Sequence, residues 1–355
     1  MKSGRETQNR VDEPEFRKEL LGWYDTHARD LPWRKSRDPY RVWVSEIMLQ
    51  QTRVAAVIEH YHEFLRRFPT VQKLSAAREA SVLAAWSGLG YYRRARMLHA
   101  AAKLIARDRA GTFPQTAADW RQLPGIGRYT AAAIASIAFG QAIAVVDGNV
   151  ERVVQRLAGK PISGEQVWHS AEDLLDRERP GDFNQAMMEL GATVCTPRAP
   201  ACLTCPVVEL CASRGELPNE GNGARQKKRE IHYSLDRRNG SVFLVQRPKD
   251  ARLMAGMWEL PEITDPDHGV DPLLTVKHSI TVTDYTVNIW PAPAPAGVTG
   301  QWCAIERLPR LALTGLARKV LRSSGIFPAS ASTRRSSRLN GRRKVVSTKV
   351  EDWER

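Results

Sequence analysis

The sequence predicts an α+β fold in two domains, an all-α body followed by a strand-rich mixed α/β module, on three observations. The chain has 355 residues, more than one ordinary hydrophobic core organises. Apolar residues recur at helical spacing up to about Gly215 and alternate with a period of two from Ile231 onward. Between the two rhythms, RGELPNEGNGARQKKR combines Pro, Gly, Asn and charge without apolar periodicity, which is the composition of a linker.

In chain order, residues 1–15 are charged and expected to be a flexible terminus. The helical body spans 16–215: Val54, Val57, Ile58, Tyr61, Leu65 and Phe68 recur at helical spacing, as do Leu98, Ala101 and Ile105, and the alanine-rich run from Tyr129 to Phe139 is a further helix. The linker takes 216–228. In the second domain, 229–328, Ile231, Tyr233 and Leu235 alternate, Asn239-Gly240 is a hairpin turn, and Val242 to Val245 is the next strand; a later strand is read from the alternation between Ile280 and Trp290. Cys303, beside Trp302, is expected to pack as a small apolar residue. Residues 329–355 are a tail with seven basic residues between Arg334 and Lys349 among Ser and Thr, expected to be disordered and to add non-specific DNA affinity. No internal repeat is detectable.

Charge points to the partner. With 53 Lys and Arg against 39 Asp and Glu, the formal charge of +14 attracts a polyanion and makes nucleic-acid binding salt-dependent. No run is long and apolar enough to cross a bilayer, and the first thirty residues hold no apolar segment like a signal peptide, so a reducing cytoplasm is the expected compartment. There, Cys195, Cys202, Cys205 and Cys211, spaced C-x6-C-x2-C-x5-C, are metal ligands rather than disulfides. Four thiolates suit a tetrahedral zinc or an iron–sulfur cluster equally on chemistry alone.

The segment LPGIGRYTAAAIASIAFGQAIAVVDGNV adds a second site. Pro124 favours a turn, and Gly125 and Gly127 allow backbone geometry that a side chain would forbid, so the amides opening the next helix can face a phosphate. A tight helix connection would use the same residues. Asp147, twenty residues beyond Gly127, turns the reading toward a DNA-backbone clamp beside a catalytic carboxylate.

With the glycine turn, the aspartate and the cysteine quartet in one order, residues 16–215 resemble the helix-hairpin-helix DNA glycosylase superfamily that includes endonuclease III. The resemblance implies a [4Fe-4S] cluster in the loop 195–211. The bifunctional members of that superfamily carry a nucleophilic lysine where this chain has Tyr129, and a phenol cannot form a Schiff base, so simple hydrolysis without strand cleavage is expected.

Upstream, WVSEIMLQQT from Trp43 to Thr52 is similar to the signature of the MutY adenine glycosylase family, and LPWR (31–34), GLGYY (88–92) and VDGNV (146–150) accompany it. Glu46 stands where that family places its general acid, and its apolar neighbours Val44, Ile47, Met48 and Leu49 would raise its pKa. Taken alone, Glu46 reads rather as a surface residue of an amphipathic helix; the accompanying motifs turn the reading. The resemblance implies that Asp147 stabilises the oxocarbenium-like sugar left by adenine, with Asn149 orienting Asp147 and Tyr129 near the sugar. It places Arg34, Trp33, Leu49 and Glu189 around the adenine pocket, and Gln51, Thr52, Leu89 and Tyr91 around the opposing oxidised guanine, with an inserted aromatic filling the gap left by base flipping. Each also has a packing explanation, strongest for Leu49 and Trp33; Tyr92 is expected in the core.

LVQRPKDARLMAGMWELPEI, from Leu244 to Ile263, looks like the start of that family's Nudix-like recognition domain. Two departures follow. The clustered carboxylates of a Nudix enzyme do not appear after Pro261, so diphosphate hydrolysis is not expected. The family's aromatic-serine-histidine motif aligns with Ile280-Thr281-Val282, leaving the Thr281 hydroxyl as its one polar group; His278, just before it, either substitutes for the missing histidine or, more commonly for such a position, is a surface histidine at a strand end. Weaker discrimination between oxidised and normal guanine is the expected consequence.

The function these readings imply is a monofunctional adenine DNA glycosylase of base excision repair. It would act as a cytoplasmic, nucleoid-associated monomer, away from membranes, on duplex DNA with adenine opposite 8-oxoguanine or guanine. The alternatives are a thymine or uracil mismatch glycosylase on the same fold and a non-catalytic iron–sulfur DNA-binding protein. Two carboxylates facing anionic DNA argue against the last.

Overall fold

The computed structural model describes residues 11–215, 217, 227–251, 254–264, 271–280 and 283–327. The fold is α+β, and the chain divides into two compact units. The first comprises residues up to 227 together with 246–258 and 309–315; the second comprises 228–245, 259–308 and the residues from 316 onward.

The first unit is helical: α1 (Glu13–His27), α2 (Pro39–Leu49), α3 (Val54–Arg67), α4 (Val71–Ser75), α5 (Glu79–Trp86), α6 (Arg93–Asp108), α7 (Ala117–Trp120), α8 (Arg128–Phe139), α9 (Gly148–Ala158), α10 (Glu165–Leu174) and α11 (Pro180–Thr193). Helix α2 begins where chemistry dictates. Asp38 caps it by accepting from the amides of Tyr40 (2.8 Å) and Arg41 (3.1 Å), and Pro39 supplies a first residue that needs no amide partner. Seven consecutive residues of α2, Val42 to Met48, are buried, so this helix runs through the core rather than along its surface. Trp43 packs against Trp120 with ring centroids 5.6 Å apart, and Phe64 against Trp86 at 5.8 Å. Each such ring stabilises the fold by roughly 1.5–3 kcal/mol through burial.

Two apolar clusters fill this unit, one centred on α2 to α8 and the other on α1 and α9 to α11. Met188 packs against both. The alanine-rich α8 ends at Gly140, whose left-handed backbone (φ 69°) closes the helix, and the following segment runs toward Asp147. That segment is pinned by buried Asn184, which accepts from the Val145 amide (3.1 Å) and donates to the Ile143 carbonyl (2.9 Å).

The strands, which belong to the second unit except for the end residues Lys227, Gln246 and Trp258, form two four-stranded sheets. One has the order β5 (Glu262–Ile263), β1 (Lys227–Ser234), β7 (Thr283–Trp290), β6 (Leu274–Ile280); in the other β2 (Arg237–Arg238), β3 (Ser241–Gln246) and β4 (Trp258–Glu259) follow one another and β8 (Gln301–Ala304) also pairs with β3. Helix α12 (Gly315–Ser323) completes the elements. Asn239 (φ 46°) and Gly240 (φ 68°) form the tight turn between β2 and β3, with Arg238 opposite Ser241.

One expectation is corrected here. The alternating stretch from Ile280 to Trp290 is not one strand: Ile280 ends β6 and pairs with Thr283, which opens the antiparallel β7. ITVT contains no Gly or Asn to announce the reversal, and its β-branched residues favour extended backbone on both sides of it. The intervening residues 281 and 282, including Thr281, lie outside the described residues, as does the basic tail. His278 sits within β6 opposite Tyr285, half-buried rather than exposed at a strand end, and burial lowers its pKa. Cys303 is buried on β8. No helix among the described residues is long and apolar enough to cross a membrane.

Candidate active site

Glu46 lies on the buried face of α2 with only 5% of its surface exposed, so the surface-helix reading does not hold. The Tyr129 hydroxyl, from the first turn of α8, donates to Glu46 Oε2 at 2.7 Å. Burial pushes the Glu46 carboxyl up, the Tyr129 hydrogen bond pulls it down, the Asp147 charge pushes it up and Arg34 pulls it down; the net value is about 7. Burial, together with the charges of Glu46 and Asp147, holds the Tyr129 phenol well above its ordinary value, so it stays a proton donor.

Asp147 is the N-cap of α9. Its Oδ1 accepts from the amides of Asn149 (2.9 Å) and Val150 (2.8 Å), and its Oδ2 from Asn149 Nδ2 (2.9 Å). The cap fixes the carboxylate at a helix N-terminus, where the helix dipole favours its charge. Asn149 Oδ1 in turn accepts from Arg152 (2.9 Å), whose guanidinium also reaches the carbonyls of Gly191 (2.6 Å) and Cys195 (2.8 Å). Gly191 has to be glycine for α11 to come this close: a Cβ there would stand 2.6 Å from Asn149 Cβ.

Glu189 is 1% exposed and makes a double ion pair. Arg29 binds it in bidentate fashion at 2.6 and 2.7 Å, and Arg34 at 2.8 Å. Burial raises the Glu189 pKa, but hydrogen bonds from Arg29 and Arg34 more than reverse this and hold it at about 2. Arg34 also lies 5.4 Å from the Tyr24 ring centroid. Trp33 is buried edge-on to Tyr61 (5.5 Å), and Leu49 is half-buried against the core.

Gln51 and Tyr91 share an unusual backbone state, φ 52° and 47°, left-handed without being glycine. Gln51 is exposed, as is Tyr91 at 46%, whereas Leu89 and Tyr92 are buried. Thr52 is half-buried, its hydroxyl accepting from Arg94 at 3.1 Å. Burial lowers the Arg94 pKa to about 10.

In the glycine turn the two glycines differ. Gly125 is left-handed (φ 77°), and a Cβ there would meet Met97 Cβ at 2.5 Å. Gly127 is ordinary extended backbone (φ −86°) with open space where a Cβ would lie, so the expectation that its conformation forbids a side chain is corrected. Its role as the uncapped N-cap of α8 leaves the first amides of that helix without a side-chain partner from position 127.

Cys195, Cys202, Cys205 and Cys211 line one cavity together with Arg156, Val194, Pro200 and Val208, and none forms a disulfide. Burial, partly offset by a backbone hydrogen bond from Val207 and reinforced by the other three sulfurs, pushes the Cys205 thiol up to about 11. Arg156 donates to Cys195 Sγ at 3.3 Å.

Arg29, Arg94, Arg152 and Gly191 stand in no recognisable motif of the sequence. Each acts on a residue distant in the chain, 160 positions away for Arg29 and Glu189, and no local pattern marks them.

Residues 44–175 match the HhH-GPD superfamily base excision DNA repair protein family. The chain is 39% identical over 288 residues to an adenine DNA glycosylase of Buchnera aphidicola subsp. Acyrthosiphon pisum, an alignment covering 78% of this chain and 82% of that protein. It is 42% identical over 314 residues to adenine DNA glycosylase of Homo sapiens, covering 70% of this chain and 57% of the human protein; coverage of the rat counterpart is 66%. The chain thus spans less than two thirds of the length of these mammalian relatives. Among solved structures, a thermostable thymine-DNA glycosylase superposes with a TM-score of 0.54 at 30% identity, over 57% of this chain and 96% of that one. Endonuclease III from a non-covalent DNA complex shares the fold, with a TM-score of 0.51 at 22% identity over 58% of this chain and 97% of its own. The chain belongs to the adenine DNA glycosylase family, within the HhH-GPD superfamily of base excision DNA repair proteins.

Proposed function

We propose that this chain hydrolyses the N-glycosidic bond of adenine mispaired with 8-oxoguanine or guanine in duplex DNA, leaving an abasic site in an intact strand. The observation that carries the reading is the buried Glu46 carboxyl, with a pKa of about 7, hydrogen-bonded to Tyr129. A carboxyl of that pKa retains a proton to donate near neutral pH, which suits a purine leaving group.

Adenine enters by extrusion from the stack. Glu46 donates its proton to the five-membered ring of the purine, and the glycosidic electron pair departs with neutral adenine. Asp147, oriented by Asn149, stabilises the oxocarbenium-like sugar electrostatically or by a transient bond, and water completes hydrolysis. Tyr129 offers no amine for a Schiff base, so the strand stays closed. Trp33, Arg34, Leu49 and Glu189 line the adenine pocket, the last fixed by Arg29 and Arg34. Gln51, Thr52, Leu89 and Tyr91 face the opposing base, Thr281 and the Nudix-like second domain help read it, and the turn at Gly125 and Gly127 binds a phosphate. The chain acts as a monomer.

The cysteine quartet suits the [4Fe-4S] cluster that the resemblance implies: the four thiols line one cavity and none is held in a disulfide. When bound, the cluster supplies four iron–thiolate bonds that fix the loop 195–211. Arg156 would orient Cys195 toward it. Iron and sulfide analysis of anaerobically purified protein tests this, zinc without sulfide being the contrary result.

The reading is tested by single-turnover reactions on duplexes labelled on both strands with adenine opposite 8-oxoguanine, with and without hot alkali. Breaks at adenine only after alkali are expected. The likeness to a thymine-DNA glycosylase makes thymine opposite guanine the second duplex to run, and release of thymine but not adenine would overturn the proposal.

A further inference from the structure

Arg94, in the first turn of α6, is half-buried, its Nε without a partner and no carboxylate paired to it among the described residues. Its Nη1 donates to the carbonyls of Ile47 (2.9 Å), Met48 (3.1 Å) and Gln50. Its Nη2 donates to Thr52 Oγ1 (3.1 Å) and to the carbonyls of Leu89 (3.3 Å) and Gly90 (3.4 Å). The rings of Trp86 and Tyr91 lie 5.6 and 5.4 Å from the guanidinium carbon.

These acceptors have a pattern. Gln51 and Tyr91 are both non-glycine residues in left-handed backbone, and Arg94 holds the carbonyl immediately before each of them, that of Gln50 and that of Gly90. The same group reaches Ile47 and Met48, the two residues that follow Glu46 on α2. A planar fork with five donors can serve both turns at once; an ammonium on a flexible stem cannot span them.

We propose that Arg94 is the positioning residue that fastens the two turns, residues 50–52 and 89–91, to each other and to the helix carrying Glu46, and so sets the gap that receives the base opposite the extruded adenine. The assignment of that gap to the opposing base rests on the adenine glycosylase reading; the fastening itself does not.

The test uses the full chain with Arg94→Lys and Thr52→Val, in two measurements. In hydrogen–deuterium exchange, Arg94→Lys is expected to speed exchange of 47–52 and 88–92 together by ~tenfold, the equivalent of about one charge-assisted hydrogen bond, with 130–138 of α8 unchanged. Thr52→Val removes one acceptor from the first turn only, and is expected to loosen 88–92 as well; this variant carries the test if Arg94→Lys does not fold. In single-turnover adenine release, Arg94→Lys is expected to lose ~tenfold on a duplex with 8-oxoguanine opposite, and less than about twofold on one with an abasic residue opposite, where no base fills the gap. Equal slowing on both duplexes, or loosening of one turn without the other, overturns the proposal. If the unmodified protein releases no adenine from either duplex, the adenine glycosylase reading falls, and the exchange measurement alone decides whether Arg94 couples the turns.

Discussion

Tyr129 donates its hydroxyl to Glu46 Oε2 at 2.7 Å, joining α8 to α2 across the candidate site. The bond favours the ionised carboxylate, yet burial of Glu46 and the charge of Asp147 outweigh it and leave the carboxyl titrating at about 7. The phenol therefore orients the acid without emptying it of its proton.

Glu46→Gln is expected to slow adenine release by about 10²–10⁴-fold while stabilising the fold at alkaline pH. The sign follows from proton binding. The folded pKa of about 7 lies above the ordinary value of 4.5, so the folded state holds more protons across that window and stability falls as pH rises through it. A shift of this size corresponds to about 3 kcal/mol lost by the unmodified protein above pH ~7. Urea unfolding of both proteins at about pH 5 and pH 8 checks it: the gain from Gln should appear at the higher pH and shrink at the lower.

Asp147 caps α9 and, in the proposed reaction, stabilises the sugar cation; substitutions separate the two roles. Asp147→Asn keeps an N-cap acceptor and should cost only a few tenths of a kcal/mol, whereas Asp147→Ala removes the cap to Asn149 and Val150 and should cost about 1 kcal/mol. Both should lose adenine release by ~100-fold or more, because each removes the charge. Thermal melting beside single-turnover rates distinguishes the two roles; an active Asp147→Asn protein would reduce this carboxylate to a cap.

Glu189→Gln breaks a buried double ion pair and leaves the Arg34 guanidinium without its counter-charge. The expected destabilisation is about 3 kcal/mol, toward the low end for buried pairs because Arg29 is 38% exposed. With the Glu189 pKa held at about 2, this stabilisation is present above the ordinary carboxyl value of 4.5 and is lost as pH falls from there toward 2. Acid unfolding should accordingly begin at a higher pH in a protein with Arg29→Met.

Gly191→Ala places a methyl group 2.6 Å from Asn149 Cβ and 2.9 Å from its carbonyl oxygen. Overpacking should cost about 1–3 kcal/mol, and because Asn149 carries the hydrogen bond to Asp147 Oδ2, adenine release should fall by more than the melting shift accounts for. Gly127→Ala, with open space at its Cβ, should leave melting nearly unchanged.

The sequence carried the fold class through local rhythm. Val57 and Tyr61 mark the buried stripe of α3, and Asn239-Gly240 announces its turn because few other pairs accept two left-handed residues in succession. The β6–β7 hairpin was not legible, since Ile280 and Thr283 face each other across a reversal with no turn residue to signal it. At the site, the candidate carboxylates stand in recognisable local strings, but the arginines that hold their surroundings do not. Arg29 meets Glu189, and Arg94 meets Gln50, only after the helices have packed. Likewise, nothing in the string GAT around Gly191 shows that Asn149 will lie against it.

The most direct test of the central claim is the pH dependence of the single-turnover rate of adenine release from a duplex with adenine opposite 8-oxoguanine. If buried Glu46 is the acid, the rate should be highest below its pKa and fall as pH rises through about 7, and Glu46→Gln should abolish that limb. A rate that holds level through about pH 8, or an unaltered profile in Glu46→Gln, would contradict it.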